Sequence, residues 1–147
     1  SAIDLCQKYD SPVARLVEKG IERIGRPLQD IQTAVENMGN VEVARLEKGL
    51  PMLATIAGGA PMIGFLGTVS GMIEAFFRMS TAGNNIDITL LSGGIYEAMV
   101  TTVGGLFVGI IAYFGYNYLT SQISNLVFKM ESTTIEFIDM LHEPASK

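Results

Sequence analysis

Two uncharged runs constrain this chain more than any other feature. No Asp, Glu, Lys or Arg occurs between Pro51 and Ile73, a run of 23 residues, or between Ala98 and Phe128, a run of 31. A hydrocarbon core about 30 Å thick is crossed by roughly 20 helical residues, so either run can span a bilayer. The alternative is a pair of buried helices in a soluble domain, and a chain of 147 residues is too short to wrap both on all sides. Both runs therefore read as membrane spans, and the fold class as an all-α membrane protein.

The charges outside these runs set the orientation. Residues 1–50 hold seven of the ten Lys/Arg and eight of the fifteen Asp/Glu, whereas residues 51–128 hold only Arg78, Glu74, Asp87 and Glu97. Arg45 and Lys48 precede the first span and Lys129 follows the second, while the connection MSTAGNNIDITLLSG from Met79 to Gly93 has no base. Basic residues stay on the cytoplasmic side, so both ends are expected there and the short loop outside. The expected segments are 1–50 as cytoplasmic helices, 51–78 as a span, 79–92 as the external loop, 93–126 as a second span, and 127–147 as a cytoplasmic helix extension and tail. Ser1 is not an initiator methionine and SAIDLCQKYD lacks the regions of a signal peptide, which suggests a fragment whose beginning is missing.

Composition removes several functions. A net charge of −5 without a basic cluster argues against a nucleic-acid partner. One cysteine, Cys6, and one histidine, His142, cannot form a disulfide, a zinc site or a Cys/His nucleophilic pair within one chain. No enzyme activity, metal or cofactor is expected.

Local signals outline the helices. Ser11-Pro12 is a cap and first-turn pair, followed by Val13, Leu16, Val17, Ile21 and Ile24 at helical spacing. Pro27 restarts the pattern with Leu28, Ile31, Val35 and Met38, which Gly39-Asn40 is expected to end. Val41 is expected to open a helix running unbroken to Arg78, kinked at Pro51 and Pro61. Thr89 is the expected cap of a last helix whose apolar stripe continues through Leu126, Met130, Phe137, Met140 and Leu141. The stripes beyond the bilayer are expected to pack together as a cytoplasmic bundle.

Within the spans, small and polar residues carry the information. Gly67/Gly71 and Gly105/Gly109 are small-xxx-small pairs, which let helix backbones approach closely in lipid. Gly64, Thr68, Gly71 and Ala75 step by four, three and four and share one face. An oligomer with close helix packing is favoured. Glu97 and Thr101 lie one turn apart on one face, and Thr102 lies about 140° round from Glu97. A membrane carboxyl is costly unless it faces protein or water, which marks Glu97 as a candidate site, although a place near a helix N-terminus would also accommodate it. A threonine hydroxyl can equally bond its own helix backbone. Glu74 with Arg78 reads as an interfacial i, i+4 pair.

The stretch APMIGFLGTVSGMIEAF (Ala60 to Phe76) resembles the second membrane span of the ExbB/TolQ/MotA proton-channel family. GGIYEAMVTTVGGLFVGIIAYFGYN (Gly93 to Asn117) resembles the third. The resemblance implies a homopentamer in the bacterial inner membrane, with the 79–92 loop periplasmic, surrounding an ExbD- or TolR-like partner whose membrane aspartate carries the proton. By position it implies proton-path roles for Thr68, Thr102 and Glu97, with Thr101 an added hydroxyl that leaves open which threonine faces the partner. The packing residues would be Gly64, Gly67, Gly71, Gly105 and Gly109. Such an assembly uses the proton motive force to drive TonB-dependent outer-membrane transport, or through a TolA-like protein the Tol-Pal system. The family's first span has no counterpart ahead of Pro51 and is expected to be cut off. The ExbB branch is preferred to TolQ, and MotA is disfavoured by its larger cytoplasmic insert. A non-conducting membrane scaffold is the alternative from another class.

Overall fold

The computed structural model of the chain describes residues 1–143, so the end of the expected 127–147 tail, residues 144–147, lies outside the described residues. Among the described residues five helices follow one another: α1 (Ala2–Lys8), α2 (Pro12–Glu22), α3 (Leu28–Leu46), α4 (Leu50–Thr81) and α5 (Ile88–His142). They divide into two compact units. One comprises Gly49–Leu119, and the other combines Ser1–Lys48 with the chain from Thr120 onward.

The polar unit is built on amphipathic helices. Ser11 caps α2, its Oγ accepting from the Ala14 N–H at 3.2 Å with Pro12 in the first turn. Leu16, Ile31, Val35, Met130 and Phe137 form its core, with Leu16 only 2% exposed and Val35 1%. The expected stripe of α2 stops short of Ile24, because the helix ends at Glu22 and Ile24 is exposed in the following turn. Gly25 turns that corner at a φ of 103°, which residues with a Cβ rarely adopt.

Gly39 and Asn40 do not end α3, and no helix begins at Val41. The helix runs through both residues to Leu46. A glycine in mid-helix costs about 1 kcal/mol, but continuing α3 carries Glu42, Val43 and Leu46 onto the face that already buries Ile31 and Val35. The break comes instead at Glu47–Gly49, with Gly49 at a φ of 91°. Pro51 therefore sits in the first turn of α4 and not at a kink; its missing N–H costs nothing there because first-turn donors have no partner in the helix.

The second unit is an antiparallel hairpin of α4 and the first part of α5. Pro61 remains inside α4. Ala82–Asp87 is the whole non-helical connection, with Gly83 at a φ of 62°. Thr89 does not cap α5. Asp87 does, its Oδ1 accepting from the Thr89 N–H at 2.9 Å and the Leu90 N–H at 3.4 Å. The most apolar 18-residue windows have mean hydropathies of 1.6 and 1.8, yet only 6% and 17% of their residues are buried. Met62, Ile63, Phe65, Phe107 and Phe114 all point outward. Core helices of a soluble domain would bury these side chains, whereas an apolar solvent satisfies them as they stand.

Candidate functional site

The two spans meet along a seam of small residues. Five glycines on it lie so close to the facing helix that a methyl group would not fit without movement. A Cβ on Gly64 would lie 2.8 Å from the Thr101 carbonyl oxygen and 3.0 Å from Gly105 Cα; one on Gly71 would lie 2.7 Å from Ala98 Cβ. On the facing helix, a Cβ on Gly105 would meet the Ala60 oxygen at 2.6 Å, and one on Gly109 would meet Pro61 Cγ at 2.5 Å. Gly67 lies against the Thr101 side chain. The five glycines singled out in the sequence thus line contacts within one chain. Gly58, Gly59 and Gly104 face open space.

The close approach brings three threonines to the seam. Thr68 Oγ1 donates to the Ala98 carbonyl at 2.9 Å, across the interface, and lies in hydrogen-bond contact with Thr102 Oγ1. Thr101 Oγ1 donates to Ala98 O at 2.6 Å and reaches Gly64 O at 3.2 Å; Thr102 Oγ1 reaches the same oxygen at 3.3 Å. A consistent proton order has Thr68 donating to Ala98 and Thr102 donating to Thr68. Lone pairs on Thr102 then remain free to accept. Sequence reasoning missed the carbonyls of Gly64 and Ala98 as the common acceptors. Ala98, 2% exposed, follows the singled-out Glu97 directly and has no polar side chain to draw notice.

Glu97 stands apart from the Thr68–Thr102 contact, one helical turn before Thr101. Both line a cavity of about 870 Å³ between the helices toward their connection, together with Gly67, Gly71, Glu74 and Arg78. Arg78 Nε donates to Glu74 Oε1 at 2.8 Å. Glu97 is exposed within the single chain and has no ion pair or side-chain hydrogen bond among the described residues. The structure therefore brings Thr68, Thr101 and Thr102 together around shared carbonyls and places Glu97 beside them on the open side.

The polar unit holds a second polar constellation that the sequence reading did not single out. Glu42 is fully buried, and Arg15 grips its carboxylate with Nε at 2.7 Å and Nη2 at 2.9 Å. Arg45 Nη1 adds a contact at 3.4 Å, and Arg15 also reaches Asp10. The Arg15 hydrogen bonds hold the Glu42 carboxyl below the ordinary glutamate value, against a burial that pushes it up. The same carboxylate raises the Arg15 guanidinium. A signal existed: Ile31, Val35, Met38 and Glu42 step by four, three and four, which places an acid on the apolar stripe of α3.

The profile of the MotA/TolQ/ExbB proton channel family matches residues 8–132. The chain is 33% identical over 124 residues to a biopolymer transport ExbB homolog of Methanothermobacter thermautotrophicus, covering 84% of this chain and 43% of that protein. It is 36% identical over 106 residues to the Tol-Pal system protein TolQ of Haemophilus influenzae, covering 72% and 46%. Against the biopolymer transport protein ExbB of Xanthomonas campestris the identity is 34% over 91 residues, covering 62% and 36%. The chain spans less than half the length of these three curated relatives. With the family match extending over both membrane-competent helices and most of the polar unit, this chain belongs to the MotA/TolQ/ExbB proton channel family.

Proposed function

We propose that this chain is the wall subunit of a proton-driven motor in a bacterial inner membrane. It acts as a homopentamer around an ExbD- or TolR-like partner and powers TonB-dependent outer-membrane transport. Both described ends lie in the cytoplasm, the Ala82–Asp87 turn lies in the periplasm, and α1 to α3 with the end of α5 form the cytoplasmic bundle. The work is conformational and needs no enzyme chemistry, metal or cofactor from this chain.

The observation that carries this reading is the paired hydroxyls of Thr68 and Thr102 at the seam of the two spans. A carboxyl that gains and loses a proton in a dry pore needs a neighbour that can serve both forms. A hydroxyl donates to the carboxylate and, by rotating, accepts from the carboxylic acid. Thr102, with lone pairs left over by its neighbours, accepts from the partner's protonated aspartate, and by turning its proton from Thr68 to the carboxylate it serves the ionised form. Glu97 supplies negative potential on the approach and is covered by the partner or a neighbouring copy, which avoids the cost of a carboxylate against lipid. The glycine seam lets α4 and α5 act as one rigid stave of the wall.

Proton flux through liposomes holding this chain and its partner tests the reading. Flux that depends on the partner's membrane aspartate and falls in Thr102→Val supports it. Assembly without aspartate-dependent flux would replace it with the scaffold reading. The identity to TolQ favours a second assignment within the same mechanism, that of a Tol-Pal subunit. Rescue of iron-chelate uptake in a strain lacking ExbB, against rescue of outer-membrane integrity in one lacking TolQ, separates the two.

A further inference from the structure

In the polar unit, a groove of about 650 Å³ runs between α3 and the end of α5. Val35, Met130 and Ile138 contribute its apolar floor, and the carboxylates of Glu36, Glu131 and Asp139 stand along it. None of the three is in an ion pair among the described residues, and Glu36 receives only the Gln32 amide, at 3.3 Å. The same unit carries the complementary piece elsewhere. The turn between α2 and α3 reads Arg23-Ile24-Gly25-Arg26, with Ile24 exposed and neither guanidinium in an ion pair among the described residues.

We propose that the groove receives the Arg23–Arg26 turn of a second copy of this chain, with Ile24 on the apolar floor and the two guanidiniums on Asp139 and Glu36. The inference rests on the oligomer in the proposed function and adds its cytoplasmic contact. Charge decides the mode of pairing. Groove against groove would crowd six carboxylates together without a cation, whereas turn into groove sets two cations on an acidic rim. The levels are also close. Gly20 packs on Phe137, where a Cβ would lie 2.9 Å from Cζ. Arg23 is three residues from that contact and Asp139 two, about 5 Å and about 3 Å at helical rise. In copies related by rotation about an axis along the helices, the turn of one thus stands within about 8 Å of the level of the acidic end of its neighbour's groove. Because the two surfaces differ, the contact is head-to-tail, and repetition closes a ring when five rotations complete the circle, as the proposed pentamer requires.

Disulfide trapping of the full chain in its native membrane, with Cys6→Ser as background, tests the contact. The pair Ile24→Cys and Ile138→Cys should give a ladder of multimers on oxidation, whereas either single variant gives at most a dimer. Adding Arg23→Glu and Arg26→Glu should cut the ladder at least about tenfold, since opposed like charges are costly. Glu36→Lys with Asp139→Lys on the same chain should restore it. Four of these changes lie on exposed positions or the groove rim, and an unchanged helical signal in circular dichroism keeps the result interpretable. An intact oligomer by native mass spectrometry with no ladder from the cysteine pair overturns the groove contact and leaves the channel reading standing. So does a ladder that charge reversal does not touch. A chain that is monomeric beside its partner overturns both.

Discussion

Gly104 and Gly105 are neighbours in one helix, and the same substitution should have opposite consequences in them. An added Cβ at Gly104 meets nothing within 4 Å, so Gly104→Ala brings only the helix propensity of alanine, a gain of up to about 1 kcal/mol. At Gly105 the added carbon would stand 2.6 Å from the Ala60 oxygen, 2.8 Å from Gly64 Cα and 3.0 Å from Gly64 N. All three are backbone atoms of α4, which no side-chain rotation can move. Ordinary contact requires α4 and α5 to part by about 0.7 Å, a gap that forfeits a quarter to a half of the dispersion energy along the seam. The same shift stretches the Thr68–Ala98 hydrogen bond from 2.9 Å beyond a useful length. Propensity cancels between the two variants, so their difference is the packing term, about 1 to 3 kcal/mol against Gly105→Ala. Titration of the detergent-solubilised protein with sodium dodecyl sulfate, followed by circular dichroism, measures that difference, and light scattering shows whether the oligomer has changed. Equal midpoints for the two variants, or a lower one for Gly104→Ala with the oligomer intact, would refute the seam as the source of hairpin stability.

The other predictions concern the polar groups. Thr102→Val keeps the shape of threonine and should assemble normally, but the loss of one hydroxyl beside a buried charge, about 1 to 3 kcal/mol, should slow proton-driven uptake; Thr68→Val should do so in part, and parental rates for both singly and together would end the hydroxyl mechanism. Glu97→Gln should reduce proton flux without abolishing it, and a cysteine replacing Glu97 should resist lipid-phase labelling once the partner is bound. Glu42→Gln should destabilise the polar unit by about 3 kcal/mol, the low end for breaking a buried pair, because Arg15 keeps partial exposure and Asp10; thermal unfolding reads this directly. Since the Glu42 carboxyl sits below its ordinary value in the folded chain, its stabilisation is full above about pH 4.3 and is lost as pH falls from there through the folded value. The Gln variant should lack that part of the acid sensitivity.

Much of this architecture is legible along the chain because helical periodicity is a local property. The two uncharged runs locate the long apolar helices, and Ser11-Pro12 marks the start of α2. Gly64, Thr68 and Gly71 can be assigned to one face by counting alone. Errors arose where a local preference competed with burial or with a nearby alternative. Gly39-Asn40 has the chemistry of a helix end, yet the face continued by Glu42, Val43 and Leu46 outweighs it and moves the break to Gly49. Thr89 can cap a helix, but Asp87 lies two residues earlier and accepts from two amides at once.

What periodicity alone determined is which residues share a face; what that face meets depends on register between segments far apart in sequence. Only the folded hairpin decides that Gly64 abuts Gly105 while the adjacent Gly104 stays free, because a one-residue rotation of α5, about 100°, would exchange them. The same holds for Thr101 and Thr102. Both hydroxyls reach the Gly64 carbonyl, but Thr102 also touches Thr68, and Thr101 lines the cavity beside Glu97. The buried Arg15–Glu42 pair joins residues 27 positions apart, and its strength comes from exclusion of water by a core that forms only when α2, α3 and α5 pack. Composition and spacing settle that the chain is helical with two segments able to cross a membrane. Which hydroxyl, carboxylate and glycine stand together is a property of the packed helices, since distances of a few ångströms between distant residues are set by the volumes and surfaces that fit.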